Sequence, residues 1–204
     1  MFGRNYNSAL LEEAVEQFAT LPGVGRKTAL RLALHMLGRD SVGVERFSNA
    51  FLNLKSGIRY CPECNMISDD GVCPICSDSK RDHSVICVVE SLRDVFSIEN
   101  TGQYNGLYHI LGGIISPMDG IGPADLPIQE LVGRLSGGTV QEVVLALSTG
   151  IEGETTSFFI YKQISHLPVT VTTIARGVGF GDDLEYTDEL TLGRSMQNRQ
   201  PFKP

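Results

Sequence analysis

The stretch Cys61-Pro-Glu-Cys-Asn-Met-Ile-Ser-Asp-Asp-Gly-Val-Cys-Pro-Ile-Cys76 holds four of the five cysteines of the chain, in two Cys-x-x-Cys pairs. Each pair has a proline after its first cysteine, and Asp69-Asp70-Gly71 predicts the turn that brings the second pair back to the first. Two pairs on a short loop can place four thiolates at the corners of a tetrahedron, the arrangement that Zn²⁺ prefers. We therefore predict a zinc finger with four ligands: Cys61, Cys64, Cys73 and Cys76.

Two other uses of these cysteines fit the sequence less well. A pair of disulfides would need an oxidising compartment, and the N-terminus shows no apolar region of a secretory signal. A redox site needs one Cys-x-x-Cys pair, whereas this chain has two close together. Because four protein ligands leave no open coordination position, the predicted zinc is structural rather than catalytic. The fifth cysteine, Cys87, lies in an apolar run and is interpreted as a core residue.

Upstream of the cysteines, the sequence predicts two helices joined by a glycine turn. Apolar residues recur at helical spacing over residues 7–21, and a second periodic segment covers residues 29–37 and stops at Gly38. Between them stands Leu21-Pro-Gly-Val-Gly-Arg-Lys-Thr28, and this order is typical of a helix-hairpin-helix DNA-binding element. A third helix is predicted over residues 43–55, with five apolar side chains packed on the hairpin: Val44, Phe47, Ala50, Phe51 and Leu54.

The glycine turn offers backbone amides to a phosphate. Gly23 and Gly25 have no Cβ, so a phosphate can approach their N–H groups at the start of the second helix, where the helix dipole favours an anion. Lys27 and Arg31 are one helical turn apart and are predicted to hold the sugar-phosphate backbone from the same face, supported by Arg26. No part of this element is suited to reading bases, so binding is expected to be independent of sequence and sensitive to salt.

Two alternatives remain for this segment. Gly-Arg-Lys-Thr is similar to the end of a P-loop, but the spacing that a P-loop requires is absent, which disfavours nucleotide binding. A plain helical hairpin with a glycine turn and no ligand also fits the pattern.

The composition and the distribution of charge exclude some classes of protein. With 42% hydrophobic and 20% charged residues in 204, the chain can form an ordinary core, which excludes whole-chain disorder. No apolar run reaches the roughly 18–20 residues of a membrane span. The net charge of −7 is uneven, because residues 1–60 carry eight Lys and Arg against five acids and leave −10 for the remainder. This asymmetry favours one end that meets a polyanion, although chance clustering would give the same numbers.

Beyond the zinc loop, short apolar strands alternate with helices. Strands are predicted at residues 85–89, 107–111, 142–147 and 169–174, and helices at 92–101, 126–135 and 154–166. This alternation favours an α/β domain with a mostly parallel sheet that is covered on both faces. Ligands of such sheets gather at the carboxyl ends of the strands.

Carboxylates follow two of these strands. Glu90 comes directly after the first strand with Asp94 one helical turn later, and Glu152 and Glu154 follow the third strand, where extended geometry would point both to one face. One glutamate and a later acid pair resemble the pattern of Toprim domains, whose catalytic members hold Mg²⁺ for phosphodiester chemistry. Here the usual Asp-x-Asp is Glu-Gly-Glu, which leaves metal binding and catalysis open. The alternative is that these acids complement helix dipoles.

Two glycine-rich segments complete the chain. Residues 111–125 hold four Gly and two Pro, which predicts an exposed, shaped loop of the kind that often carries function. Residues 175–192 include three alternating glycines and lead into a short polar helix, for which we expect stabilisation by another subunit. The four histidines have no partner at a ligand spacing and are interpreted as structural or solvated.

The order of these parts closely resembles the bacterial recombination mediators of the RecR family. The resemblance covers nearly the full chain and rests on LPGVGRKTALRLALHML, CPECNMISDDGVCPIC, VVESLRDV, LGGIISPMDGIGPADL, STGIEGETTSFFI and ARGVGFGDDLEYTDELTLGR. It implies a multidomain chain of α+β and α/β type. The implied parts are a helix-hairpin-helix domain over residues 1–56, a four-cysteine zinc finger over 57–80, a Toprim domain over 81–175 and a Gly-rich oligomerisation segment over 176–204.

The resemblance also implies a function. Members are cytoplasmic DNA-repair proteins without catalysis of their own, which form ring-like tetramers that can encircle DNA, single- or double-stranded. They act with RecO and RecF to load RecA onto single strands coated by the single-strand-binding protein. The matching positions imply that Lys27 and Arg31 contact DNA with support from Gly23, Gly25 and Arg26. The Toprim acids would face partner protein and a weakly held Mg²⁺: Glu90, Asp94, Glu152 and Glu154.

The sequence is also compatible with two other functions. One is a Mg²⁺-dependent Toprim enzyme, such as a small nuclease or a primase-like fragment. The other is an assembly subunit without DNA contact, which only the hairpin argues against.

Overall fold

The computed structural model describes residues 6–179 and 181–201, and the chain forms two compact units, Met1–Ile58 and Arg59–Pro204. In the described part of the chain, no helix combines the length and the hydropathy needed to cross a membrane.

The first unit is helical. It contains α1 (Ala9–Ala19), α2 (Arg26–Leu37) and α3 (Ser41–Gly57). Ser8 begins α1 by accepting a hydrogen bond at Oγ from the N–H of Leu11, at 3.3 Å. α1 and α2 pack around a small core of buried side chains: Val15, Ala29 and Ala33. Two alanines in this core let the helices approach closely, which holds the glycine turn between them.

The predicted packing of α3 on the hairpin is wrong. No residue of α3 is buried, and Phe47 and Phe51 contact each other edge to face at 5.1 Å while remaining 38% and 59% exposed. Helical periodicity identifies an apolar face but not what covers it. In the described part of the chain the predicted inward set therefore forms a largely exposed face, the open face of α3, in which Val44 is half-buried and the others are exposed: Phe47, Ala50, Phe51 and Leu54.

The second unit begins with the zinc loop and continues into the sheet. The loop contains β1 (Arg59–Tyr60), antiparallel to β2 (Ile67–Ser68), and α4 (Pro74–Ser77). The elements that follow are β3 (Asp82–Val89), α5 (Leu92–Glu99), β4 (Gly106–Ile110), α6 (Ile128–Leu135), β5 (Glu142–Ala146), α7 (Ile151–Ile164) and β6 (Thr170–Thr173). The tail has a 3₁₀ turn at Leu184–Tyr186 and ends in α8 (Glu189–Gln197).

The four-stranded sheet has the order β4-β3-β5-β6 and is parallel throughout. This confirms the predicted α/β domain with a parallel sheet. One face is covered by α6 and α7, with Leu131 and Ile160 fully buried against it, and the other receives Val95 of α5. Cys87 is buried on the second face as a core residue, as predicted.

Candidate functional sites

The four cysteines of the zinc loop come together. Their Sγ atoms all lie within 4.8 Å of one another and all four residues are buried. Cys73 begins α4 and its Sγ accepts from the N–H of Cys76 at 3.4 Å, while the N–H of Cys61 donates to the carbonyl of Met66 at 2.7 Å. Four thiolates at this spacing are the ligand set of a structural zinc ion, so the residues fit the metal.

Before a metal binds, the surroundings act in opposite directions on the ligands: burial raises the pKa of Cys73 to about 11, whereas the pKa of Cys61 is lowered. Burial alone would raise the pKa of Cys61, but hydrogen bonds from backbone N–H groups of Cys73, Cys64 and Glu63 outweigh it and lower the pKa to about 7. A thiolate is the form that binds zinc.

The zinc loop is fastened to the outer edge of the sheet. β4 is an edge strand, and the N–H of its last residue, Ile110, donates to the carbonyl of Cys64 at 2.9 Å. Asn65, which has a φ of 63°, returns a bond from its side-chain amide to the carbonyl of Ile110 at 3.1 Å. Ile75 packs against the zinc cluster and both cores of the sheet. The zinc loop thus occupies the backbone groups of the last residue of this edge strand.

The glycine turn of the hairpin is exposed. Gly23 has a φ of +78°, in the left-handed region that favours glycine. Apart from the chain neighbours, no heavy atom of the described residues lies within 4 Å of a Cβ built at either Gly23 or Gly25. Gly25 is the N-cap of α2, and among the residues that the structure describes no side chain caps the start of that helix. Lys27 and Arg31 are exposed, one turn apart on α2. The turn therefore leaves open amides beside two solvent-facing cations.

Arg26 differs from these two cations. Its guanidinium forms an ion pair with Glu12 of α1 and lies 5.8 Å from the centroid of the Tyr6 ring.

Three of the four predicted Toprim acids gather at the carboxyl end of the sheet. Burial raises the pKa of Glu90 above its ordinary value, and the charges of Asp94 and Glu152 raise it further, as expected of neighbouring carboxylates. The carboxylate of Asp94 also accepts from the N–H and the hydroxyl of Ser91, at 2.8 and 3.0 Å, in a capping box. Asp94 thus also has the helix-capping role considered as the alternative.

The extended geometry predicted for Glu152 and Glu154 is wrong. Both lie in the first turn of α7, so their side chains point in different directions. Glu154 forms an ion pair with Arg176 instead of joining the other acids. The helix can start here because Gly153 lies against Ser148, where a Cβ would clash with the Ser148 carbonyl.

Two polar residues that no sequence pattern indicated lie beside this cluster. The Ser116 hydroxyl lies 2.5 Å from Oε1 of Glu152 and 2.8 Å from Oδ2 of Asp119. Both Ser116 and Asp119 belong to the glycine-rich loop whose special backbone positions predicted a shaped, functional segment. No pattern in the sequence indicates which residues of this loop contact the carboxylates.

Comparison with known proteins agrees with this architecture. Family models match residues 11–54 (RecR, helix-hairpin-helix), 58–78 (the RecR zinc finger domain with four cysteines), 84–175 (Toprim domain) and 177–200 (RecR, C-terminal). The chain is 58% identical to Recombination protein RecR of Parabacteroides distasonis over 199 residues, covering 98% of this chain and 96% of that protein. The chain belongs to the RecR family of recombination proteins. Recombination protein RecR of Phocaeicola vulgatus is likewise 58% identical, with 98% and 97% covered, and that of Flavobacterium johnsoniae is 51% identical, with 97% and 96% covered.

The family matches agree with the geometry of the zinc loop and of the tail. The four-cysteine cluster falls within the match to the RecR zinc finger domain, so the metal of this RecR family member is zinc. Within the RecR C-terminal match, the N–H of Val178 donates to Oγ of Ser195 at 3.0 Å, which ties α8 to the preceding loop. Other apolar side chains of the tail are exposed: Leu184, Tyr186, Leu190 and Met196.

Proposed function

We propose that this RecR family member is a non-enzymatic DNA-repair mediator. It binds single- and double-stranded DNA without sequence preference as a ring-like oligomer, a homotetramer. With RecO and RecF it helps to load RecA onto single strands coated by the single-strand-binding protein. The observation that carries the DNA-binding step is the open glycine turn beside Lys27 and Arg31.

The hairpin supports contact with a phosphate backbone. Amides at a helix start and two cations on one face recognise phosphate oxygens and not base edges. Each neutralised phosphate releases counterions, so the affinity falls steeply with salt. In the proposal, Gly23 and Gly25 supply the amides and Lys27 and Arg31 the charges.

Two exposed apolar surfaces support oligomerisation. One is the open face of α3 around Phe47 and Phe51, and the other lies in the tail around Tyr186 and Leu190. Exposed apolar side chains in clusters mark interaction surfaces. An oligomer would place several hairpins along one DNA, so that weak single sites combine into strong overall binding.

The acidic end of the Toprim sheet is proposed to face RecO or RecF. Glu90, Asp94 and Glu152 would present their charge to a partner protein, and they could hold a Mg²⁺ weakly. The four thiolates of the zinc site support a bacterial cytoplasmic location, since reducing conditions keep them available for the metal.

DNA binding is tested by fluorescence anisotropy with labelled oligonucleotides over a range of salt concentrations. Lys27→Ala and Arg31→Ala should weaken binding to all sequences alike, and each should reduce the salt slope by about 0.9 on duplex and about 0.7 on single strands. Lys80→Ala, which removes an exposed cation outside the hairpin and both apolar surfaces, is the control. Unchanged affinity in both hairpin variants would contradict the proposal.

The gathered carboxylates favour one second candidate, a Mg²⁺-dependent Toprim enzyme. Incubation of the purified protein with labelled DNA and Mg²⁺ or Mn²⁺ separates the two functions. A non-enzymatic mediator leaves the DNA intact, whereas product formation that Glu90→Gln abolishes would establish the enzyme.

A further inference from the structure

Arg26 is the first residue of α2 and follows Gly25 directly, so its place in the sequence is that of a phosphate contact. Its side chain is engaged elsewhere. The guanidinium pairs with Glu12, whose side chain is only 16% exposed, and lies over the ring of Tyr6. Hydrogen bonding to Glu12 raises the pKa of Arg26 above its ordinary value. This cation therefore already has an anionic partner within its own chain.

The three residues join three segments of the hairpin unit. Tyr6 precedes α1, Glu12 lies in the first turn of α1, and Arg26 opens α2. The Tyr6 ring also packs against the core between the two helices. The buried centre of that core is one valine and two alanines, and larger side chains such as Leu11 and Phe18 pack around it while partly exposed. The ion pair between Glu12 and Arg26 adds a directional polar contact, which apolar packing does not supply.

The two neighbouring cations are placed differently. In the described part of the chain, neither Lys27 nor Arg31 forms a salt bridge, and both side chains are exposed. Arg26 alone among the three turns back onto α1.

We propose that Arg26 is a positioning residue, which through Glu12 and Tyr6 holds the start of α2 so that the glycine amides, Lys27 and Arg31 meet a DNA phosphate together. The inference rests on the proposed function, since it concerns how the hairpin binds DNA. It assigns Glu12, an acid, a favourable role in binding a polyanion.

Glu12→Gln tests this assignment, because the two roles of Arg26 predict opposite results. If Arg26 positions the hairpin, the loss of the ion pair weakens DNA binding by about five- to tenfold. If Arg26 contacts phosphate, removal of Glu12 frees the guanidinium and binding stays equal or becomes tighter. Glu16→Gln removes the same charge from an exposed position on the same helix and is the matched control. Equal or tighter binding by Glu12→Gln would overturn the proposal.

The salt slope and a double variant separate positioning from contact independently. Arg26→Gln should lower the affinity about as much as Glu12→Gln, and the double variant should be no weaker than either single one, because all three break one pair. All should keep the wild-type salt slope, while a slope reduced by about 0.9 in Arg26→Gln would show a lost phosphate contact. Circular dichroism of the full chain verifies that each variant is folded.

Lys27→Ala measured in parallel distinguishes the two possible failures. If Lys27→Ala also leaves DNA binding unchanged, the proposed function fails. If it reduces the slope while Glu12→Gln has no effect, only the positioning role of Arg26 fails.

Discussion

The side-chain amide of Asn65 donates a 3.1 Å hydrogen bond to the carbonyl of Ile110, so a residue of the zinc loop contacts the last residue of the edge strand β4. The N–H of Ile110 donates in turn to Cys64, a zinc ligand. Order at the zinc site and order at this edge are therefore linked.

Removal of zinc should release the edge of the sheet. Structural zinc contributes roughly 10–16 kcal/mol in isolated finger peptides, and here part of that free energy holds Cys64 and Asn65 against β4. After treatment with a zinc chelator, hydrogen exchange at the amide of Ile110 should become faster, while amides of the central strands β3 and β5 keep their protection. Equal protection of Ile110 with and without zinc would contradict this link.

Asn65→Ala should lower the free energy of unfolding by about 2–3 kcal/mol. The substitution loses a hydrogen bond, worth about 1 kcal/mol, and places a Cβ residue without a compensating side chain in the left-handed region, at about 1–2 kcal/mol. Asn65→Gly is the matched control, since glycine accepts a φ of 63° and loses the hydrogen bond and about 0.5–1 kcal/mol of backbone entropy, without strain. Urea unfolding compares the two, and a smaller loss in Asn65→Ala than in Asn65→Gly would show that the left-handed conformation costs alanine nothing.

His109 should make the protein less stable in mild acid. Burial lowers the pKa of this histidine to about 4, and Nε2 lies 2.7 Å from the carbonyl of Pro127 while Nδ1 lies 3.3 Å from Arg134. The native ring stays neutral while the unfolded ring takes up a proton below pH about 6.5. Stability is thus lost as the pH falls from about 6.5 towards 4, by up to about 3 kcal/mol.

Substitution of His109 separates its contribution to the pH dependence of stability from the contribution of the carboxylates. His109→Gln can keep both hydrogen bonds, because its amide donates and its carbonyl accepts. It should therefore lose less stability between pH 7 and pH 5 than the wild type in urea unfolding. His166→Gln, at an exposed position, should behave like the wild type. The same pH dependence in all three proteins would exclude His109 as the cause.

Gly153→Ala should destabilise the protein by about 1–3 kcal/mol, because the new Cβ meets the backbone carbonyl of Ser148, which cannot move aside easily. The shift of α7 should also displace Glu152 from Ser116. Gly133→Ala is the matched control: it lies within α6 with open space around a Cβ and should stabilise by about 0.5–1 kcal/mol. Thermal unfolding measures both, and equal effects would contradict the close approach at Gly153.

Much of the second unit could be predicted because its signals are local. The zinc ligands follow from spacing alone, and the predicted strand over residues 85–89 corresponds to the apolar end of β3, which starts earlier at Asp82. The first three residues of this strand are polar, so periodicity does not report them. In the same way, α2 begins at Arg26 and not at residue 29, since Arg-Lys-Thr has no apolar period.

Contacts between distant residues could not be predicted. Ser116 and Glu152 are 36 positions apart and Asn65 and Ile110 are 45 apart, and neither pair has a pattern that links its members. The direction in which the Glu154 side chain points depends on where α7 begins. That start depends in turn on the close packing of Gly153. The open face of α3 shows the same limit, since amphipathicity does not name its partner.

The strand order means that the sheet cannot be completed until late in the synthesis of the chain. β3 is made first, yet both strands beside it, β4 and β5, come later in the chain. A ribosome that adds about 5–20 residues each second completes β5 several seconds after β3 has emerged. β4 is available to pair with one edge of β3 before then, but until β5 is complete the other edge of this apolar strand has no partner and can pair with other polypeptides. The metal-binding loop precedes β3 and needs no later segment for its four ligands, so zinc uptake can fold this loop before the sheet is complete.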